Sequence, residues 1–211
     1  MSVPPDDPLE RALAPLRELL ALSQTGLAFA KDPFDRERYT RVRELVETLL
    51  RAPGDLNFDP AIALGQDKGY ITPKVDVRGA AFLEGRVLMV RERSDGLWTL
   101  PGGWCDVNDS PSESVVKEIQ QESGFEARAV KLAAVLDRRR HPHPTQFHHV
   151  YKLYFLCELT GGEAQSSIET DAVGFFAEDD LPPLSVNRIT QGQIELMFRH
   201  ERERDLPTTF D

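Results

Sequence analysis

The sequence predicts an α/β fold: an α/β/α sandwich around a mixed β-sheet, preceded by a small helical N-terminal domain. Three observations indicate this class. Apolar residues recur at helical spacing in the first part of the chain, runs typical of β-strands begin at Lys74, and a capped helix separates those runs near Ser110. Strands that alternate with a central and a terminal helix bury their apolar faces in such a layered arrangement.

The helical domain is expected to span residues 1–70. Two apolar stripes at helical spacing indicate its helices, Leu9, Leu13, Leu16 and Leu20 in the first and Val42, Leu45, Val46 and Leu49 in the second. Thr25-Gly26 and Lys31-Asp32-Pro33 are expected to interrupt the helical pattern, and residues 51–72 to form a linker. Two helices of this length bury too little apolar surface for a stable unit. We therefore expect them to pack on the second domain or on a partner subunit, as in a homodimer.

The second domain is expected at residues 71–211. Val75 and Val77 alternate with polar residues, and Glu84-Gly85 is expected to turn the chain into a strand at 86–90. Further strands are predicted at 97–100, 129–137, 150–159 and 173–176, and a closing helix at 189–200.

The helix that starts near Ser110 carries the most informative pattern. A serine N-cap, a proline at the first helical position and a glutamate three residues after the cap form a capping box, and Gly124 can end the helix. Glu118 and Glu122 share one helix face, with Gln121 beside them. Two stacked carboxylates repel each other unless a cation lies between them, and their hard oxygen atoms suit Mg²⁺. The alternative is a solvated acidic face.

A paired-glycine turn, Gly102-Gly103, precedes this helix and lets the main chain approach a metal or a phosphate closely. From Gly103 onward the sequence GWCDVNDSPSESVVKEIQQESGF resembles the Nudix box, G-x5-E-x7-R-E-U-x-E-E-x-G-U, in which U is aliphatic or aromatic. The spacing is intact. Three residues depart from the box: Asp109 and Gln121 replace glutamates, and Lys117 replaces the arginine.

Segments outside the box resemble one Nudix subfamily that has a helical N-terminal domain, among them TPKVDVRGAAF, RERSDGLWTLPGGW and HHVYKLYFLCEL. The best-defined activity of that subfamily is CDP-choline pyrophosphatase, and many relatives are labelled ADP-ribose pyrophosphatases. The resemblance covers nearly the whole chain. It implies a Nudix fold and Mg²⁺- or Mn²⁺-dependent hydrolysis of a nucleoside diphosphate derivative at its diphosphate bridge. CDP-choline is the expected substrate and ADP-ribose the alternative. A Nudix-like module that binds a nucleotide without hydrolysing it, and a ribonuclease-like phosphodiesterase, are the alternative functions.

The resemblance also implies the site residues. Four metal ligands are expected, namely Gly103 through its carbonyl, Glu118, Gln121 and Glu122. Asp109 would pair with Lys117 behind these ligands and hold the helix in register. A carboxylate of the later loop, for which Glu169 is preferred over Asp171 and Glu178, would act in catalysis together with the two helix glutamates.

Arginines are expected to bind the substrate phosphates, because guanidinium forks pair well with phosphate oxygens. The candidates are Arg91 and Arg93 at the end of a strand, and Arg138 and Arg139 before a loop that holds four of the five histidines. A solvent loop and a zinc site are the alternatives for that loop, although its spacing is not that of structural zinc. Four aromatic residues are candidates for nucleobase stacking or for the core, Trp98, Trp104, Phe147 and Tyr151.

The composition of the chain argues against several classes of protein. The 211 residues are 40% hydrophobic and 28% charged, as in an ordinary globular protein. The net charge of −10 argues against sequence-independent binding to long nucleic acid. The chain has no apolar run of membrane-spanning length, and its N-terminus carries acids where a signal peptide would be positive, so a cytoplasmic location is expected. Cys105 and Cys157 are expected to be free thiols.

Overall fold

The computed structural model describes residues 8–51 and 70–211. The chain divides into two compact units. The helical unit comprises the described residues up to Pro73 together with Thr145–His149, and the α/β unit comprises Lys74–Pro144 and Val150–Asp211. The sequence did not indicate that part of the histidine-containing loop would join the helical unit. Most of the predicted linker lies outside the described residues.

The helical unit is an α-helical hairpin of α1 (Pro8–Phe29) and α2 (Pro33–Leu50). Asp32 caps α2, since its carboxylate accepts a hydrogen bond from the Phe34 amide at 2.8 Å. The predicted interruption at Thr25-Gly26 is wrong, because α1 continues through both residues. A Cβ at Gly26 would lie 2.5 Å from the Tyr39 ring. The glycine therefore lets α2 pack closely against α1.

The core of the helical unit is small. It consists of Leu13, Leu20, Val46 and Leu50 from the helices and Phe147 from the segment Thr145–His149. Other large apolar side chains of the two helices are exposed, with relative exposures of 58% for Leu22, 60% for Phe29, 65% for Phe34 and 56% for Leu49.

The α/β unit is built on a mixed sheet. Its strands are β1 (Lys74–Leu83), β2 (Arg86–Glu92), β3 (Trp98–Thr99), β4 (Phe125–Asp137), β5 (Val150–Gly162), β6 (Thr170–Phe176) and β7 (Thr209–Phe210). The strand order is β3-β2-β1-β5-β4-β7. The strand β6 lies outside this order and pairs with β2 along residues 87–92. The β1–β5 and β4–β7 pairs are parallel and the other pairs are antiparallel. The predicted turn at Glu84-Gly85 is confirmed, and both residues have positive φ.

Helices cover both faces of this sheet. On one face α3 (Pro111–Ser123) packs Val115 and Ile119 against Val77 of β1. On the other face α4 (Gln191–Arg202) packs Ile194 and Met197 against residues that include Ala80. The predicted α/β/α sandwich is therefore confirmed. The strand at 97–100 is shorter than predicted, β4 and β5 are longer, and β7 was not predicted.

Polar residues of β1 are buried together with the apolar ones. Asp76 and Arg78 have relative exposures of 6% and 4%. The alternation of polar and apolar residues correctly predicts a strand. The alternation does not distinguish a solvent-exposed face from a buried face, because α4 and its neighbours cover the second face of the sheet.

Candidate active site

The helix α3 has defined ends that fix which side chains face the sheet. Ser110 and Glu113 form the predicted capping box, in which the Glu113 carboxylate accepts from the Ser110 amide at 2.9 Å. Gly124 ends the helix in the left-handed conformation, with φ of 79°. Val115 and Ile119 bury the apolar side. The acidic side therefore lies at a fixed position beside the turn that precedes the helix.

The paired glycines bring the main chain onto the two glutamates of α3. The amide of Gly102 donates to Oε2 of Glu122 at 2.8 Å. A Cβ at Gly103 would lie 2.8 Å from Oε1 of Glu118, so the carboxylate would have to move to admit a side chain there. The structure thus brings Gly103, Glu118 and Glu122 together. Gln121 is on the same helix and is exposed.

Burial and mutual repulsion destabilise the ionised form of both carboxyl groups. Burial raises the pKa of Glu122 to about 8, and the neighbouring Arg78 guanidinium and the Gly102 amide oppose that rise. Burial also raises the pKa of Glu118, in the same direction as the charges of Glu169 and Asp106. Such a pair favours a bound cation, which would stabilise both ionised groups.

The donor set fits a magnesium-like ion. The Gly103 carbonyl accepts from the Val77 amide at 2.8 Å, which leaves its second lone pair available. Across the described residues, no three His, Cys, Asp or Glu side chains are close enough together to hold a metal. This chain offers two carboxylates, and Gln121 stands where a third acid would be. Hard oxygen donors in small number suit Mg²⁺, which keeps several water ligands and binds substrate phosphate.

Lys117 joins the loop before α3 to the helix. Its ammonium donates to Asp106 at 2.7 Å and to Asp109 at 3.1 Å. The predicted Asp109–Lys117 ion pair is present. Asp106 also forms an ion pair with Lys117, and this pair partly neutralises the Asp106 charge.

The loop before β6 brings a further acid to the site. The Arg93 amide donates to the Glu169 carbonyl at 2.8 Å, and the Glu169 charge contributes to the raised pKa values of Glu118 and Glu92. Arg91 pairs with Asp171 at 2.7 Å. Of the candidate acids, Glu169 is therefore the one near the α3 glutamates.

Glu178 and the candidate arginines Arg138 and Arg139 bind partners away from the α3 glutamates. Glu178 pairs with Arg202 of α4. Arg138 is buried and donates to the Pro144 carbonyl at 2.7 Å, and Arg139 pairs with Asp137 at 2.7 Å. These contacts hold the turn that follows β4.

The two histidines of that turn that belong to the α/β unit, His141 and His143, have separate partners. His141 lies 3.2 Å from Asp211, and His143 lies 2.7 Å from the Val186 carbonyl. Burial lowers the pKa of His143 to about 3, so this imidazole is neutral. The geometry gives no support to a zinc site in this part of the described chain.

The four candidate aromatic residues separate into core and surface. Trp98 packs edge-on against Phe176 with ring centroids 4.7 Å apart, and Phe147 belongs to the core of the helical unit. Trp104, directly after Gly103, is 49% exposed, and the Lys74 ammonium lies 5.9 Å from its ring centroid. Tyr151 is 41% exposed.

Sequence reasoning missed a buried group of charges next to the glutamates. Arg78 pairs with Asp76 through two hydrogen bonds, at 3.0 and 2.8 Å, and its charge opposes the raised pKa of Glu92, Glu118 and Glu122. The one signal in the sequence is that two charges interrupt an otherwise apolar strand. Cys105 and Cys157 are free, as predicted.

Comparison with known proteins identifies the family. Residues 73–197 match the NUDIX domain family, and residues 10–63 match the family described as "UDP-X-like, N-terminal oligomerisation domain". YjhB of Bacillus subtilis, provisionally named an ADP-ribose pyrophosphatase, is 45% identical over 204 residues, 96% of each chain. Across residues 8–51 and 70–211, no helix is long and apolar enough to cross a lipid bilayer.

Solved structures agree with this assignment. A UDP-X diphosphatase is 38% identical, covers 93% of this chain and 96% of its own, and has a TM-score of 0.63. An ADP-ribose pyrophosphatase of Streptococcus suis is 43% identical, covers 66% of this chain and all of its own, and has a TM-score of 0.59. The chain therefore belongs to the Nudix family, and it is a Nudix hydrolase.

Proposed function

We propose that this Nudix hydrolase cleaves CDP-choline to CMP and phosphocholine, with Mg²⁺ or Mn²⁺ as cofactor. The observation that carries the choice is the exposed Trp104 ring directly after Gly103, whose carbonyl we assign to the metal. The Lys74 ammonium already lies over that ring at 5.9 Å. Tryptophan faces bind quaternary ammonium groups through cation–π attraction. A diphosphate held beside Gly103 would therefore bring a choline group within reach of a suitable surface.

The site residues have distinct proposed roles. Glu118, Glu122, the Gln121 amide oxygen and the Gly103 carbonyl would hold the metal ion, with Asp109 and Lys117 behind them. A divalent ion at this position neutralises the diphosphate charge and makes water a stronger acid.

The other side chains would act on the substrate. We assign to the Glu169 carboxylate the removal of a proton from the attacking water, because its charge reaches Glu118. Arg91 and Arg93 would bind phosphate oxygens at the end of β2. Arg138 and Arg139 would do so only by giving up their contacts with the Pro144 carbonyl and Asp137.

A panel of nucleotides tests the substrate. CDP-choline, CDP-glycerol, ADP-ribose and UDP-glucose would each be incubated with Mg²⁺ or Mn²⁺, and the products identified by mass. We expect CDP-choline to have the highest kcat/KM. Trp104→Leu is expected to raise the KM for CDP-choline about tenfold and to leave that for CDP-glycerol, which lacks the ammonium group, nearly unchanged. Val107→Ala, at a neighbouring exposed position, is the control.

ADP-ribose is the second candidate substrate. The names of the Bacillus subtilis and Streptococcus suis relatives favour it. Preferential release of AMP and ribose 5-phosphate would select ADP-ribose and reject CDP-choline. If no compound is cleaved with either metal, the protein is better described as a nucleotide-binding module.

We further propose that the helical unit forms a homodimer. The matched family is described as an oligomerisation domain, and Leu22, Phe29 and Leu49 are more than half exposed. The double variant Leu45→Asp/Leu49→Asp would be compared with the full wild-type chain by light scattering, with Arg38→Asp as a control at an exposed polar position. A monomeric double variant is expected. A wild-type monomer, or an unchanged dimer in the double variant, would contradict the proposal.

A further inference from the structure

Three charged side chains are buried on one face of β1 and β5. Asp76, Arg78 and Lys152 have relative exposures of 6%, 4% and 2%. The two strands are parallel and in register, with Asp76 opposite Lys152. The Asp76 carboxylate accepts two hydrogen bonds from Arg78, at 3.0 and 2.8 Å, and one from Lys152 at 2.5 Å.

Such a cluster is not explained by stability alone. Removing charges from water is expensive, and a buried ion pair often stabilises a protein no better than apolar residues of the same volume. This cluster contains two cations and one anion, and the charge of Glu122 also acts on Arg78. A buried arrangement of this kind indicates a requirement for a particular geometry.

The distinctive contact of Arg78 is with the loop that leads into the proposed metal-binding face, which consists of Gly103, Glu118 and Glu122. Its Nη1 donates to the Leu100 carbonyl at 3.2 Å and lies 3.4 Å from the Thr99 hydroxyl. Nε and Nη2 are directed at Asp76. The planar guanidinium therefore links the strand to the loop, and a single ammonium group cannot make the same set of contacts.

The anchored loop carries the atoms that face α3. The Gly79 amide donates to the Pro101 carbonyl at 2.9 Å, and the Val77 amide donates to the Gly103 carbonyl at 2.8 Å. Between them Gly102 has a φ of 143°, and a Cβ there would lie 2.0 Å from the Val77 carbonyl. The loop thus lies directly on the β1 backbone, and its Gly102 amide donates to Glu122.

We propose that Arg78 is a positioning residue for the metal-binding face. It anchors the Leu100 carbonyl and thereby keeps the Gly102 amide beside Glu122 and the Gly103 backbone close to the Glu118 carboxylate. This inference rests on the proposed metal site but concerns a residue outside the Nudix box. Lys152 has a different role in the same cluster, since within the described residues it is bonded to Asp76 and not to the loop.

The test compares Arg78→Lys with two matched variants. Arg78→Lys keeps the positive charge and removes the planar guanidinium group, which bonds to Asp76 and to the Leu100 carbonyl at the same time. Lys152→Met removes the other cation on Asp76 without a direct change at the loop. Leu136→Ala destabilises the buried core on the same face of the sheet and makes no polar contact to replace. Each protein would be titrated with Mn²⁺ in the absence of nucleotide, followed by water proton relaxation, and hydrogen exchange of the Gly102 amide would be measured by NMR.

We expect Arg78→Lys to weaken Mn²⁺ binding about 10- to 100-fold, as is typical when a group that orients a ligand is lost. The Gly102 amide is expected to exchange faster in this variant relative to the amides of β5. Lys152→Met and Leu136→Ala are expected to bind Mn²⁺ within about threefold of the wild type, because neither side chain makes a hydrogen bond to the loop.

Two results would overturn the proposal. One is wild-type Mn²⁺ affinity and Gly102 exchange in Arg78→Lys. The other is an equal loss of affinity in Lys152→Met or Leu136→Ala, which would assign the effect to buried charge or to stability. If Arg78→Lys does not fold, Thr99→Val, which removes the hydroxyl that shares the Leu100 carbonyl, takes its place and must show faster exchange at Gly102. A wild-type protein that binds no Mn²⁺ contradicts the metal site itself, while the exchange measurement still tests the anchor.

Discussion

Gly103 lies so close to Glu118 that a Cβ at the glycine would be 2.8 Å from the carboxylate oxygen Oε1. The carboxylate that we propose as a metal ligand therefore lies close to the backbone of the preceding turn. A methyl group at position 103 would push the Glu118 carboxylate away, whereas the backbone conformation itself does not require glycine there.

The first prediction follows from this contact. Gly103→Ala is expected to lower kcat at least about tenfold by displacing Glu118, since ligand misplacement is costly in a preorganised site. Its melting temperature should change little. Gly192→Ala is the control, because a Cβ at Gly192 meets nothing within 4 Å. Full activity in Gly103→Ala would show that Glu118 can move without consequence.

The second prediction concerns the Glu118 charge. Glu118→Gln is expected to reduce turnover by about two orders of magnitude or more. The fold should remain intact, because removing one of two repelling acids costs the metal-free helix little. Circular dichroism and steady-state kinetics would measure both effects, and Glu195→Gln on α4 is the control. Unchanged turnover in a folded variant would remove Glu118 from the mechanism.

The third prediction concerns Gln121, the most consequential departure from the box. Gln121→Glu would add a third carboxylate next to Glu118 and Glu122, so we expect tighter binding of Mg²⁺ by the nucleotide-free protein and equal or higher turnover. Gln120→Glu, an exposed neighbour that points in another direction on the helix, is the control. If both variants bind the metal equally, position 121 does not face it.

The fourth prediction is a pH dependence of the metal-free protein. Burial raises the pKa of Glu122 from 4.5 to about 8, so the folded state holds a proton that the unfolded state releases in this range. The free energy of unfolding should therefore fall as the pH rises from about 4.5 to about 8, by at most ~1.4 kcal/mol per pH unit from this group. Thermal melts in EDTA would show the slope. Mg²⁺ should reduce it, and Glu122→Gln should flatten it. A slope that is the same in Glu122→Gln would assign the effect to other groups.

Local sequence patterns were sufficient to predict many elements. The capping box at Ser110, the stop at Gly124 and the hairpin turn at Glu84-Gly85 all depend on neighbours within a few residues, and the structure confirms each. The spacing of the box placed Glu118 and Glu122 on one helix face for the same reason. The Nudix fold itself was predicted from the resemblance, and the comparisons confirm it.

Only the tertiary structure decided the features that depend on residues far apart in the chain. Gly26 looked like a helix break because a glycine lacks helix propensity, yet it is needed for contact with Tyr39 of the other helix. Glu169 could be separated from Glu178 only after β6 was placed beside β2. Asp76 and Arg78 looked like the polar side of a strand, but they are buried against Lys152 of β5 and the Leu100 carbonyl, which lie far from them in the sequence. The sequence by itself therefore determined the helix that carries the proposed metal ligands, Glu118 and Glu122, and the sheet around it decided how these side chains are held.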